Sequence, residues 1–444
     1  MYDSSGMNGN GQTANGVTEG ESVSSSPRLN IAVVGGGIVG CVTALGLLKR
    51  GISVKIYEQS RSFREIGAGV AFTANAQKCM ELTNPDVLRA MKAVSTENPL
   101  AYYTYVDGYH ALSDDLRDMR EKELFRLPAG KSGFDGCHRA HFLEELVKFI
   151  PADVVEFRKR LDTYVVGKDD EPIKLKFEDG TSATADAVLL GQDNPASYPG
   201  FTRKVAFRGL VPMERAVEAL GETKAHNQCM HMGPRGHVLN FPIAQHTLMN
   251  VVAFVTQDTW PQQDKLTAPA TRQEVVDAFA EWNPAVRTII GLLDESLDKW
   301  AIFDTYDHPA PTYADGRICI AGDAAHATSP HHGAGAGFGI EDALALATVL
   351  EQAIETLKRS SISKTAVLTA AFRAYDAARR ERSTWLVRSS REVCETYEWN
   401  NPECGSDPGK CLNDIEWRAH KIWYFDIEGM IRDVTSAYQT AIQA

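Results

Sequence analysis

Three glycines at the spacing Gly35-x-Gly37-x-x-Gly40 follow directly on the apolar run 29–34, and their types and spacing specify a chemistry. In such a turn the first glycine permits the tight bend and the second lets the backbone approach a pyrophosphate. The third allows the next helix to pack closely on the strand. Ile38 opens that helix, whose free N–H groups and partial positive charge favour phosphate. Glu58, at the end of a second apolar run, is placed to accept hydrogen bonds from ribose hydroxyls. Together these residues predict a bound dinucleotide, without deciding between FAD and NAD. A glycine-rich turn in an unrelated α/β protein would show the spacing but would have no need of the acid.

A second cluster runs Cys319-Ile320-Ala321-Gly322-Asp323-Ala324-Ala325-His326 and continues through Ser329-Pro330-His331-His332-Gly333-Ala334-Gly335-Ala336-Gly337. An Asp at a strand end suits a polyol. The loop from Gly333 offers N–H groups at a helix start, which suits an electron-rich ring. His331 and His332 add two titratable rings, Arg208 adds a fixed cation within an apolar stretch, and His237 opens another such stretch. The plainer alternatives are a buried Asp cap, a solvated strand arginine and a pair of surface histidines.

The elements that must position these residues follow from periodicity. Residues 29–34 and 53–57 form strands around a helix that buries Val39, Val42, Leu45 and Leu48. Ile173, Leu175 and Phe177 alternate, Asp179-Gly180 turns the chain, and 187–190 is a continuous apolar strand. Stretches 237–243 and 247–255 form an antiparallel pair, with Leu248, Val252 and Phe254 on one face. Thr271-x-x-Glu274 is a capping box that opens a helix through Phe279. A strand at 317–321, a long helix from about residue 335 to 357 and a Trp- and Tyr-rich helical tail beyond Asp376 complete the chain. The expected fold is α/β. A Rossmann-like dinucleotide-binding domain, 29–200 and 306–380, is interleaved with a mainly antiparallel β-sheet substrate domain, 201–305, and C-terminal helices follow from 381 to 444. The polar, Ser/Gly/Asn-rich residues 1–28 are expected to form a disordered tail.

Composition narrows the function further. A formal charge of −12 over 444 residues, with no basic face, excludes a nucleic-acid partner. No apolar run is long enough to span a bilayer and no secretory signal opens the chain, so a cytoplasmic location is expected. The eight cysteines are scattered without C-x-x-C, so neither a metal site nor a disulfide framework is expected. No second G-x-G-x-x-G follows a strand, which argues against a dehydrogenase holding two dinucleotides.

From Gly322 to Gly335 the chain matches the pattern G-D-A-A-H-x-x-x-P-x-x-G-x-G. In this it closely resembles the flavoprotein monooxygenases of the para-hydroxybenzoate and salicylate hydroxylase type, over roughly residues 30–426. The resemblance implies FAD as cofactor, with Asp323 bonding its ribityl or ribose part and Pro330, Gly333, Ala334, Gly335 and Ala336 lining the isoalloxazine edge. Arg139, in His138-Arg139-Ala140-x-x-Leu143-x-x-Leu146, matches the family's helix-borne arginine that touches the flavin. Glu65-Ile66-Gly67-Ala68-Gly69 and Asn75 fit the family segment that passes beside it. The middle motif departs from the family: Gly191-Gln192-Asp193-Asn194-Pro195 stands where most members read G-A-D-G. Asn can take the left-handed conformation that glycine usually supplies.

The implied reaction uses NAD(P)H, NADPH rather than NADH, to reduce the flavin. Dioxygen then adds, and an electrophilic OH reaches an electron-rich ring. A phenol is attacked readily once ionised, so the protein must lower its pKa from about 10 with a cation or donors. Neither a side-chain nucleophile nor a metal is required. Arg208 resembles the pocket-facing strand arginine of fungal members acting on phenolic polyketides. The His331-His332 pair resembles the dearomatising subset, and His237 is a further pocket candidate. Phe241 stands where tropolone-pathway relatives carry a Tyr that helps to hold the phenolate. The missing donor would come from Tyr103, Tyr105 or Tyr109, or be absent. The expected substrate is a small acylated resorcinol-type phenol, hydroxylated with loss of aromaticity. A decarboxylating salicylate-type hydroxylase and a non-catalytic flavin-binding protein are the alternatives. The oligomeric state is left open, a homodimer included.

Overall fold

The apolar run after residue 29 becomes the strand Asn30–Val34, and its Ile31, Ala32 and Val33 are all buried, as a strand covered on both faces requires. In this computed structural model residues 28–63, 69–129, 134–190, 198–261 and 265–443 are described. The expected tail up to residue 27, Glu65 to Ala68 and the divergent motif at Gly191 to Pro195 lie outside them. Asn30–Val34 is central in a six-stranded sheet ordered Ala314–Asp315, Ile318–Ile320, Ala187–Leu190, Asn30–Val34, Ser53–Glu58, Val155–Phe157. All neighbours are parallel except the edge pair Ala314–Asp315 and Ile318–Ile320. Helices Ile38–Lys49 and Gly335–Arg359 pack against each other, and both feed the core of this sheet. Three widely separated stretches of chain therefore build one Rossmann-like layer.

The second large sheet has eight strands. Their order is Thr267–Thr271, Ser296–Asp304, Gly200–Pro212, Leu248–Thr256, Gly236–Ile243, Cys229–Gly233, Tyr102–Asp107, Glu123–Pro128. It is antiparallel throughout except where Cys229–Gly233 runs parallel to Tyr102–Asp107. The last two strands come from within 29–200, so the division drawn at 200/201 does not separate the two sheets. Strand alternation gives the sheet two faces. Val205, Phe207, Val211, Val238, Val251 and Ala253 pack outward against helices Met213–Leu220, Arg272–Ala278 and Pro284–Gly291. Lys204, Ala206 and Arg208 point inward, opposite Thr256, Phe254 and Val252.

The capping box at Thr271 is formed in both directions with Glu274. The C-terminal helices are Lys364–Tyr397, Pro408–Trp423 and Ile427–Gln443. The first starts where the Ser363 side chain accepts from the Ala366 N–H, and its buried stripe continues through Phe372, Tyr375, Leu386 and Val393. The boundary expected at 380/381 therefore falls inside one unbroken helix. All eight cysteines are buried, and none forms a disulfide. Among the described residues no helix is long and apolar enough to cross a membrane.

On the outer face of the sheet His231 is fully buried, with Nδ1 2.7 Å from Glu121 Oε1 and Nε2 2.9 Å from Asn240 Oδ1. The Asn240 amide nitrogen donates to the Lys224 carbonyl at 3.0 Å, which turns its oxygen toward the ring. Both ring nitrogens thus face acceptors, and the ring is held as an imidazolium. Burial opposes that charge, but Cys229 and Glu121 outweigh it and raise His231 to about 10. Burial would likewise raise Glu121, yet His231 and Lys224 hold it down to about 2. Stability from His231 is fully present below 6.5 and is lost as pH climbs through about 10. Stability from Glu121 is present above 4.5 and is lost as pH falls toward about 2. Glu121→Gln, which leaves two cations facing no carboxylate, is expected to lower stability at neutral pH by about 3–5 kcal/mol. Urea unfolding measures this, and a midpoint unchanged by the substitution would show that the pair does not hold the sheet.

Candidate active site

The glycine turn is locked from within. Gly35 sits at φ +111° and donates to the Tyr57 carbonyl at 2.9 Å, a conformation that favours glycine. A Cβ at Gly40 would fall 2.1 Å from the Gly35 oxygen, so only glycine lets the helix pass so close to the turn. Glu58 accepts from the Gly36 N–H through Oε2 and from the Ser60 N–H through Oε1, both at 2.7 Å. Each carboxylate oxygen keeps a further lone pair for a ligand. Helix Ile38–Lys49 starts at Gly37 with no side-chain cap and no acid in its first turn, and Ile38 is buried behind it. Its leading N–H groups are therefore available to an anion.

Gly322, at φ +61°, turns the chain out of strand Ile318–Ile320 into the short helix Asp323–His326. Asp323 is exposed, with no hydrogen-bond or ion-pair partner among the described residues. The turn behind it is held by residues that the sequence pattern did not single out. Asp342 is fully buried in helix Gly335–Arg359 and accepts from Gly322 N at 2.9 Å, His326 Nε2 at 2.6 Å and Arg379 Nε at 2.8 Å. Burial disfavours this charge, but His326 and Arg379 hold the carboxyl well below the usual range. Beside it, buried Glu341 accepts from Arg379 at 2.7 Å, Arg382 at 2.8 Å and Asn75 at 2.9 Å.

The histidine loop divides its two rings. Pro330–His332 forms a single 3-10 turn closed by Gly333 at φ +63°. Helix Gly335–Arg359 then begins at Ala334, again with no side-chain cap and no acid in the first turn. The first N–H groups of Gly335, Ala336 and Gly337 have no intrahelical acceptor. His331 points inward, its ring 4.9 Å from Phe254 and 5.2 Å from His237. His332 turns the other way, with Nε2 2.9 Å from Ser389 Oγ; burial and then Arg418 lower it to about 3.

The inner sheet face carries the cation. Arg208 is half-buried, its guanidinium 5.1 Å from the Trp300 ring centre and its Nε sealed from solvent with no hydrogen-bond partner. Burial first, and then the like charge of Arg139, lower it to about 10. Arg139 opens helix Arg139–Val147 and is exposed. His237 is fully buried on the same inner face, opposite Phe254 in the strand register and stacked on it at 4.4 Å. Phe241 lies four residues farther along the strand, roughly 13 Å away at strand spacing. Its ring fills the space over Gly69, where a Cβ would meet it at 2.8 Å, so it seals the join to the small sheet of Gly69–Thr73, Phe134–His138 and Ser95–Glu97.

Of the three tyrosines considered as replacement donors, Tyr109 is turned away from the inner face. Tyr109 bonds Glu281 at 3.4 Å and packs into the outer-face core, which removes it from the inner face. The Tyr105 hydroxyl pairs with Tyr397, and the Tyr103 ring lies against Phe134 and Trp423.

Two uncapped helix starts and an acid at a ribose-length spacing fit FAD, whose diphosphate, ribose and hydrogen-bonding ring need those groups. Comparison with known proteins agrees. Residues 193–381 match the family model described as FAD binding domain. The FAD-dependent monooxygenase pigN of Monascus ruber is 50% identical over 442 residues, covering 96% of this chain and 100% of that one. The FAD-dependent monooxygenase orf3 of Aspergillus niger is 46% identical over 436 residues, covering 94% and 98%. A solved salicylate hydroxylase substrate complex is 29% identical with a TM-score of 0.77, covering 92% of this chain and 98% of that one. With this fold, this cofactor cradle and this likeness along nearly its whole length, the chain belongs to the FAD-dependent monooxygenases.

Proposed function

We propose that this enzyme hydroxylates a small acylated resorcinol-type phenol, as made by polyketide pathways, with loss of aromaticity when the attacked carbon carries an alkyl group. The carrying observation is Arg208: a cation on the inner sheet face, opposed by Arg139, backed by Trp300 and with its Nε unpaired. A phenolate oxygen would supply the negative charge that this pair of arginines faces, and would be favoured over the phenol by it. FAD, when bound, is reduced by a pyridine nucleotide, NADPH on this reading, and supplies an electrophilic oxygen from dioxygen.

The chain's own residues bind, orient and exclude water. The N–H groups at Gly37 and Ile38 would take the diphosphate, Glu58 a ribose, and Asp323 the ribityl or ribose hydroxyls. The N–H groups from Gly333 to Ala336 would face the ring edge, with Pro330 and Gly69 shaping its surroundings and Arg139 beside it. Val252, Phe254 and Trp300 give the inner face an apolar lining around the cation.

Purified enzyme given NADPH, oxygen and an alkylated 2,4-dihydroxybenzaldehyde should yield a product one oxygen heavier. Salicylate supplied in parallel separates the decarboxylating alternative, whose product is lighter than its substrate. Hydrogen peroxide alone across a panel of such phenols would contradict the proposal.

A further inference from the structure

On the inner face beside Phe254, a row of polar groups runs from the histidine loop to the strand ends at Lys204 and Thr256. His331 Nδ1 and His237 Nε2 are both sealed from solvent and without a hydrogen-bond partner, and their rings lie 5.2 Å apart. On its other side His237 Nδ1 lies 3.2 Å from Glu398 Oε1. Glu398 closes helix Lys364–Tyr397 and is fully buried; its other oxygen meets the Lys204 ammonium. Lys204 Nζ donates to Thr256 Oγ1 at 2.9 Å and lies 3.6 Å from Glu395 Oε1, whose side chain is 42% exposed. Leaving two ring nitrogens buried and unpaired costs about 1–3 kcal/mol each, so stability alone does not account for them.

The chemistry of the row is directional. A neutral His237 that donates Nδ1–H to Glu398 keeps its lone pair at Nε2, on the side away from the carboxylate. Both rings are neutral: burial, then His237, Lys204 and His332 lower His331 well below its usual value. Burial likewise lowers His237, Lys204 adding to it against the opposite pull of Glu398 and Glu395. His237 therefore faces Glu398, Glu395, Cys394 and Tyr397 from the helix side, Lys204 from the next strands and His331 from the loop. If His237 takes a proton at Nε2, the resulting imidazolium is paired at once with the Glu398 carboxylate.

We propose that His331, His237 and Glu398 form a proton relay that removes the substrate's phenolic proton and carries it to the Lys204–Glu395 pair. The relay rests on the phenol-hydroxylase reading above. The phenolic O–H bond breaks and its electron pair stays on the oxygen, held by Arg208. The proton passes to His331 and then to His237 Nε2, while the Nδ1 proton of His237 shifts toward Glu398. The Lys204 ammonium gives a proton to Glu395 as it takes one from Glu398, Glu395 releases it to water, and nothing is oxidised or reduced. A metal ion is the rival occupant, since His237, His331 and Cys394 each offer a ligand atom within 4.8 Å of the others. The fixed ammonium of Lys204 against Glu398 opposes a second cation there.

The test mixes oxidised, FAD-loaded enzyme with an alkylated 2,4-dihydroxybenzaldehyde in a stopped-flow instrument and follows phenolate absorbance as a function of pH. His237→Asn and Glu398→Gln are expected to slow phenolate formation at least roughly tenfold, with its pH midpoint and the flavin content unchanged. Glu398→Asp should recover part of the rate, which a purely structural anchor would not predict. If Glu398→Gln fails to fold, His237→Asn decides alone, because it leaves the Glu398–Lys204 pair intact. An unchanged rate in His237→Asn would overturn the relay, as would a stoichiometric metal in wild-type enzyme that this variant loses. Absence of any bound phenolate in the wild type would overturn the underlying phenol-hydroxylase reading, and the relay with it.

Discussion

Arg208→Ala is expected to leave FAD bound and to lower kcat/KM for hydroxylation by roughly 10²–10³-fold. On the proposed reading the guanidinium stabilises the substrate's oxyanion, and among the described residues its sealed Nε has no partner to compete for it. Its removal also relieves the repulsion with Arg139, so the folded state should not be weakened in proportion. Lost activity with an intact thermal transition therefore separates a binding role from a structural one. Arg208→Lys should recover only part of the loss, since an ammonium cannot keep both a fork toward the substrate and the planar contact with Trp300. Steady-state kinetics with flavin absorbance as the occupancy control measures both variants, and an unchanged kcat/KM in Arg208→Ala would remove the residue from the pocket.

The second large effect is expected at Asp342, which no motif marked. Asp342→Ala leaves the Arg379 guanidinium, His326 and the Gly322 N–H without their shared acceptor in a fully buried site. Breaking such a pair costs about 3–5 kcal/mol, so the variant should unfold at markedly lower denaturant. Because Gly322 precedes Asp323, flavin content should fall as well. Asp323→Ala provides the contrast: its side chain is exposed and unpaired, so flavin occupancy should drop while the denaturation midpoint of the apo-protein holds. A fully flavinated Asp323→Ala enzyme would refute the cofactor role of that carboxylate, and a stable Asp342→Ala enzyme would refute the network.

Which of these residues were legible in the sequence follows from the kind of constraint each obeys. Gly35, Gly40, Gly322 and Gly333 are fixed by backbone geometry, either a positive φ or a contact too close for any Cβ, and such demands leave glycines at set spacings. The alternation at Ile173, Leu175 and Phe177 and the strand pair around Phe254 were likewise written locally. Non-local pairing was not. Tyr102–Asp107 joins the second sheet by lying parallel to Cys229–Gly233, more than a hundred residues on, and no turn between them announces it. The same limit hid Asp342, Glu341 and Glu398, whose partners Arg379, Arg382 and Lys204 come from other elements and so leave no fixed spacing. The orientation of paired side chains was equally invisible: His331 and His332 are neighbours in sequence, but the tight turn through Pro330 sends one ring to His237 and the other to Ser389. Tyr109 was misplaced for a related reason. It lies beyond the end of its strand, where alternation no longer fixes which face a side chain joins.

Oxygen transfer to a phenol is the chemistry on which the roles of Arg208 and the flavin cradle depend. The most direct measurement supplies the FAD-loaded enzyme with NADPH and an alkylated 2,4-dihydroxybenzaldehyde under isotopically heavy dioxygen, and weighs the product. One heavy oxygen atom is expected in the ring product, and none at the new hydroxyl when the heavy oxygen is supplied in the water instead. A product that carries its new oxygen from water, or reduced nucleotide consumed with peroxide as the sole fate of oxygen, would contradict that transfer.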